Sequence, residues 1–193
     1  MDDLPEPLAG LVREHRLVEQ IVHDAREAID AATVRDASDE VVTHAMDILR
    51  DLDAFLAIDL TTHIAKEEEV LFPVMRKLIE ENEAIVVDML AQHDEVRAKE
   101  WDIQRMLAAL DATHDEVHAE SASLQAGLAV AGARPSLDVM VGFRDTVMKL
   151  DWILQGHFGD EEDALFEPAP GWFTAEQFAE FARQMDEVER SMS

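Results

Sequence analysis

Two stretches of the chain carry one pattern. "HIAKEEEVLF" runs from His63 to Phe72, and "HFGDEEDALF" runs from His157 to Phe166. Each sets a histidine four residues ahead of a pair of glutamates and closes on Leu-Phe. Residues four apart share one face of a helix, so His63 points with Glu67, and His157 with Glu161. A single pair of this kind is more often an ordinary hydrogen-bonded pair. Two copies, both on the apolar stripes of their helices, point to metal ligation, because a buried carboxylate is costly unless paired or ligated. Imidazole and carboxylate together suit a redox-active first-row metal such as iron.

The repeat implies two similar helix hairpins facing each other across a pseudo-two-fold axis. That symmetry asks for a histidine on each remaining helix. His15 and His93 answer, giving the orders His15, His63, Glu67 and His93, His157, Glu161. Four histidines and two glutamates would then meet at one level. The glutamates would bridge two metals, two histidines would be terminal on each, and solvent, an oxo group or an exogenous ligand would complete the shells.

Other residues compete for these roles. His114 and His118, in "THDEVHAE", echo the "HDEV" that begins at His93. In a continuous helix His114 falls about 31 Å beyond His93, so both are expected at the surface near the far end of the bundle, with a shifted register as the alternative. Glu19 lies one turn after His15 and is expected either near the metal or paired with Arg97. Glu68, Glu69 and Glu162 are expected in solvent or behind the ligands. Phe72 and Phe166 are placed to keep water from the centre.

The elements that must position these residues are helices. The 193 residues include only 7 Gly and 6 Pro, and no Tyr. That scarcity of breakers favours long helices over a many-turned β fold. Apolar spacing predicts a first helix from Leu8 to about Ala32 and a second, capped by Ser38, ending near Asn82 with a possible kink at Pro73. A third carries Ile85, Met89, His93, Val96 and Leu107. "GLAVAGARPS" (Gly127 to Ser136) reads as a loop, and Pro135 opens the fourth helix. Thr174 caps a short amphipathic fifth. The expected fold is all-α: an antiparallel up-down four-helix bundle over residues 1–168, with the helix of residues 169–193 packed on it as part of the same domain.

Composition bounds the function. The 43 acidic against 16 basic residues give a formal charge of −27, which repels phosphate backbones and argues against nucleic acid as a partner. Acidity alone is weak support for a metal, since most carboxylates sit on solvated helix faces. No cysteine is present, which removes disulfides, thiolate sites and thiol nucleophiles. The N-terminus has no signal-peptide pattern and no apolar run is long enough to span a membrane, so a cytoplasmic location is expected.

The ordered set "EHRLVEQ", "HIAKEEEVLFP", "QHDEVRAKE" and "HFGDEEDALFEP" resembles the four metal-bearing helices of the hemerythrin-like (HHE cation-binding) family, over about residues 8–168. The resemblance implies a four-helix bundle around two non-haem irons, oxo- or hydroxo-bridged. Its ligands would be His15, His63, Glu67, His93, His157 and Glu161. Oxygen-carrying hemerythrins have a second histidine one turn after that of helix 3, where this chain has Arg97, and they end in His-x-x-x-x-Asp. The departures imply a more symmetric site with open positions on both irons. The expected partner is a small diatomic ligand, O2 or nitric oxide, or peroxide. Iron storage or sensing, and catalase-like decomposition of peroxide, are the alternatives.

Overall fold

Pro5 and Pro7 stand where a helix has no need of their missing N–H groups, and the first helix, α1, starts between them at Glu6 and runs to Ala32. The computed structural model describes residues 4–78, 94–132 and 134–192, and the side chains of all of these except 94–102. The Ser38 hydroxyl accepts the Val41 N–H at 3.3 Å and starts α2, which remains helical over residues 39–78. The expected end of α2 near Asn82 lies outside the described residues. Helix α3 spans Asp94–Val130, and α4 spans Leu137–Glu161. A single 3-10 turn, Ala169–Gly171, leads to α5, Ala175–Met192. At the start of α5 the Thr174 hydroxyl accepts the Gln177 N–H while the Gln177 side chain accepts the Thr174 N–H, a reciprocal capping box. Among the described residues all regular structure is helical. No described helix is long and apolar enough to cross a membrane.

Two details differ from expectation. The helix α3 continues through Gly127 to Val130, where the glycine suggested a loop. A Cβ at Gly127 would come within 2.7 Å of the Phe143 ring, so the glycine serves close packing of α3 on α4 rather than a turn. The fourth helix is opened by Ser136, whose hydroxyl accepts the Val139 N–H, rather than by Pro135.

Among the described residues three π segments interrupt the α-helical pairing: Leu56–Leu60 and Glu67–Leu71 in α2, and Glu162–Phe166, which extends α4. The last two begin within the two copies of the repeat, and each runs into a proline, Pro73 or Pro168. A proline ring collides with the carbonyl four residues back. In the wider turn Phe72 N–H bonds to Glu67 O, and Glu167 N–H to Glu162 O at 3.0 Å, which gives that carbonyl room.

The core is split into two apolar clusters with a polar layer between them. One cluster holds Leu8 and Leu11 of α1, Val70 and Phe72 of α2, Leu107 and Leu110 of α3, Leu165 and Phe166 at the end of α4, and the apolar face of α5. The other holds Val18 of α1, Leu60 of α2, Val117 of α3 and Leu154 of α4. Each long helix therefore passes from one cluster to the other, and all four cross the same level between them. Helix α1 packs against α2 and α4, and α3 against α4 and α2. Helix α5 lies on α1 and on the stretch of α2 around residues 61–71.

Candidate metal centre

The layer between the clusters is made of ionisable side chains. His15, His63, Glu67, His114, His157 and Glu161 are all at most 4% exposed. They form two groups, His15, His63, Glu67, Glu161 and Glu67, His114, His157, Glu161, each able to offer one ligand atom per residue within 4.8 Å of the others. Both glutamates belong to both groups. Glu67 turns Oε1 toward His63 Nε2 at 3.1 Å and His15 Nε2 at 3.8 Å, and Oε2 toward His114 Nε2 at 3.4 Å. Glu161 turns Oε2 toward His15 Nε2 at 3.3 Å and Oε1 toward His157 Nε2 at 3.5 Å. Every histidine faces the centre with Nε2.

The donor set fits metal cations by its unmet needs. Four carboxylate oxygens, those of Glu67 and Glu161, have no hydrogen-bond partner, and neither do Nε2 of His15 and His63. Buried polar atoms without partners are costly, and several converging on one layer present a donor set that a cation would satisfy. The Nε2 atoms of His114 and His157 lie 2.9 Å apart.

Behind the histidines stands a shell of carboxylates. His15 Nδ1 meets Glu162 Oε1 at 2.9 Å, His63 Nδ1 meets Glu14 Oε2 at 2.8 Å, and His114 Nδ1 meets Glu68 Oε1 at 2.8 Å. Each contact fixes the proton on Nδ1 and leaves Nε2 free to ligate. The second glutamate of each Glu-Glu pair thus explains the doubling in the repeat. Glu67 and Glu161 face the centre, while Glu68 and Glu162 orient a histidine on the neighbouring helix. Arg16 holds Glu162 at 2.5 Å, and the buried Lys66 holds Glu14 at 2.7 Å and Glu189 of α5 at 3.2 Å. Among the described residues His157 Nδ1 has no hydrogen-bond partner.

Aromatic rings close the layer. Phe158 stacks on His15 with centroids 4.0 Å apart, Phe166 also stacks with His15 at 5.7 Å, and Phe72 stacks on His114 at 5.8 Å. These rings exclude water and so strengthen the electrostatics inside.

Charges at the centre are pushed apart. Burial would lower the His15 pKa, but the carboxylates of Glu161 and Glu67 raise it to about 9. Burial is likewise overcome at His63, where the Glu67 charge and Glu14 bring it to about 10, and at His114, raised by Glu67 and Glu68. Burial lowers His157, Glu67 opposes this only in part, and the neighbouring histidines add to the fall, to about 3. Burial and the Glu67 charge raise Glu161 to about 7, whereas at Glu67 burial is outweighed by His63 and the other histidines, which hold it well below the usual carboxylate range.

Of the residues singled out by sequence, His15, His63, Glu67, His157 and Glu161 lie in this layer. His93 lies outside the described residues. His114, expected at the surface, is instead 1% exposed and at the centre, while its neighbour in the pattern, His118, is exposed. The reason is helix length: α3 is helical from Asp94 onward and sets about 30 Å of helix ahead of His114, an overhang that residue counting along a presumed short hairpin does not reveal. Glu19 takes no part in either group and pairs with Arg16 at 3.0 Å. The side chain of Arg97 lies outside the described residues. Sequence reasoning missed Glu14, Lys66 and Phe158. A signal for His114 was present: "LAGLVREHRLV" in α1 and "LAALDATHDEV" in α3 share Leu-Ala-x-Leu-x-x-x-His-x-x-Val, so Leu8, Leu11, His15 and Val18 map onto Leu107, Leu110, His114 and Val117.

No curated protein and no solved structure matches the chain. Residues 6–122 match the Hemerythrin HHE cation binding domain. The match takes in α1, α2 and most of α3, with His15, His63, Glu67 and His114, while His157 and Glu161 lie beyond it and join the centre through the packing of α4. With more than half of its length matched and a buried His/Glu centre built to hold cations, the chain belongs to the hemerythrin HHE cation-binding domain family.

Proposed function

We propose that the chain is a non-haem di-iron protein that binds or reacts with O2, peroxide or nitric oxide at a carboxylate-bridged centre. One observation carries the reading: Glu67 and Glu161 each belong to both ligand groups, so two cations would share two carboxylates, with two histidines terminal on each. A mixed imidazole and carboxylate set suits iron among the first-row metals. Bound iron would supply one-electron redox chemistry and coordination positions for a small ligand. The antiparallel up-down order of the four long helices, with α5 on the outside, belongs to the same proposal, and the alternation of the two apolar clusters along each helix supports it.

The residues around the centre have separable tasks. Glu14, Glu68 and Glu162 keep three imidazoles turned with Nε2 inward. Phe72, Phe158 and Phe166 exclude water from the space a small apolar ligand would use. Lys66 and Arg16 hold the outer carboxylates in place and offset their charge. Elemental analysis of iron-replete protein is expected to find about two irons per chain, with optical bands absent from the chelator-treated protein. Fewer than one metal per chain, or zinc alone, would refute the reading. Steady-state peroxide consumption separates a catalyst from a reversible binder.

A further inference from the structure

The pseudo-two-fold that relates α1 and α2 to α3 and α4 can be followed residue by residue. His15 corresponds to His114, His63 to His157, Glu67 to Glu161, and Glu68 to Glu162. The correspondence extends outward to two cavities, one behind each outer histidine. The cavity behind His63 is about 300 Å³ and is lined by Glu14, Leu17, Ile58, Thr62 and Lys66, with Glu189 and Met192 of α5 over it. The cavity behind His157 is about 560 Å³ and is lined by Thr113, Glu116, Trp152, Gly156 and Asp160, the symmetry counterparts of those residues in the same order.

The symmetry fails at the positions that matter to the ligand. Glu14 accepts from His63 Nδ1 at 2.8 Å, and Lys66 holds Glu14 in place. Across the axis Thr113 stands where Glu14 does, and its hydroxyl donates to Ala109 O at 2.9 Å instead. Asp160 stands where Lys66 does. His157 Nδ1 is left buried and without a partner beside the larger cavity. Of the four imidazoles at the centre, it is the one with no carboxylate behind it among the described residues.

Resting on the di-metal reading, we propose that the two metal positions are inequivalent: the His15/His63 position binds tightly, and the His114/His157 position binds more weakly and exchanges. The cause is the Glu14/Thr113 difference. A carboxylate behind a ligating histidine fixes its tautomer and orientation and raises its basicity, and its loss lowers metal affinity by about 10–100-fold. The first position has two such histidines and the second has one, whose partner Glu68 is 44% exposed, against 4% for Glu162.

Anaerobic titration of Co2+ into the chelator-treated full chain, followed by visible absorption and chelator competition, tests this. Two binding steps separated by about 10–100-fold are expected. His157→Ala should abolish the weaker step and keep the tighter one. Thr113→Glu should move the weaker step toward the tighter, and Glu14→Thr should move the tighter down toward the weaker. The Glu14→Thr variant, at a half-buried position, keeps the test open if a carboxylate at 113 prevents folding. Two equal steps in the wild-type chain would overturn the inequivalence. Two unequal steps that neither Glu14→Thr nor Thr113→Glu moves would overturn the assigned cause. Uptake of fewer than about two Co2+ per chain would overturn the di-metal reading itself.

Discussion

Glu161→Gln should stabilise the metal-stripped protein and destabilise the loaded one, and the first effect should depend on pH. Glu161 is fully buried, and burial together with the Glu67 charge raises its pKa from the ordinary 4.5 to about 7. A group whose folded pKa is raised contributes stability that is complete below its unfolded value and is lost as pH rises through the folded one. For a shift from 4.5 to about 7 the loss amounts to about 3 kcal/mol by pH 8 and under about 1 kcal/mol at pH 5, at 1.36 kcal/mol per pH unit. The amide escapes that loss. For a chain of this length, about 3 kcal/mol corresponds to roughly 6–12 °C in Tm. Thermal melts of chelator-treated wild type and Glu161→Gln should therefore diverge between pH 5 and pH 8, with the variant gaining on wild type as pH rises. With metal bound the order should reverse, because Glu161 is offered to both positions and a neutral amide is a poorer ligand. An equal effect at both pH values, or the same sign with and without metal, would refute a buried carboxylate held for cations.

His114→Ala should lower the iron content by about one atom per chain, measured by elemental analysis, while His93→Ala leaves it unchanged. The reverse result would place His93 rather than His114 in the centre. Metal uptake should release protons, since His15 and His63 have pKa values raised to about 9 and about 10 and must give up Nε2–H to ligate. Their raised values also stabilise the stripped fold below about pH 6.5 and cease to do so as pH rises through 9 to 10. The Tm gap between loaded and stripped protein should accordingly widen from pH 6.5 to pH 10. A gap that narrows over that range would show that these imidazoles are not proton-bearing ligands.

The sequence by itself determined the helices and most of the centre, because both depend on local spacing. The i, i+4 pairs His63/Glu67 and His157/Glu161 share a helix face whatever the fold around them, and two copies of one pattern declare a two-fold relation. The caps at Ser38 and Thr174 depend only on residues three positions away. Tertiary structure decided what depends on how far one helix slides along another. Sequence separation does not measure how far α3 extends ahead of the buried polar layer, so it does not reveal that His114 reaches that layer; packing places it there, with its flanking Leu110 and Val117 in opposite apolar clusters as Leu11 and Val18 are around His15. Packing also decided which carboxylate stands behind which imidazole. Glu14 and Glu162 are ordinary helix-face acids in the sequence, and they become partners of His63 and His15 only because α2 and α4 lie against α1 at that level. The missing partner of His157 is settled the same way, since Thr113 is significant only once the two-fold sets it opposite Glu14.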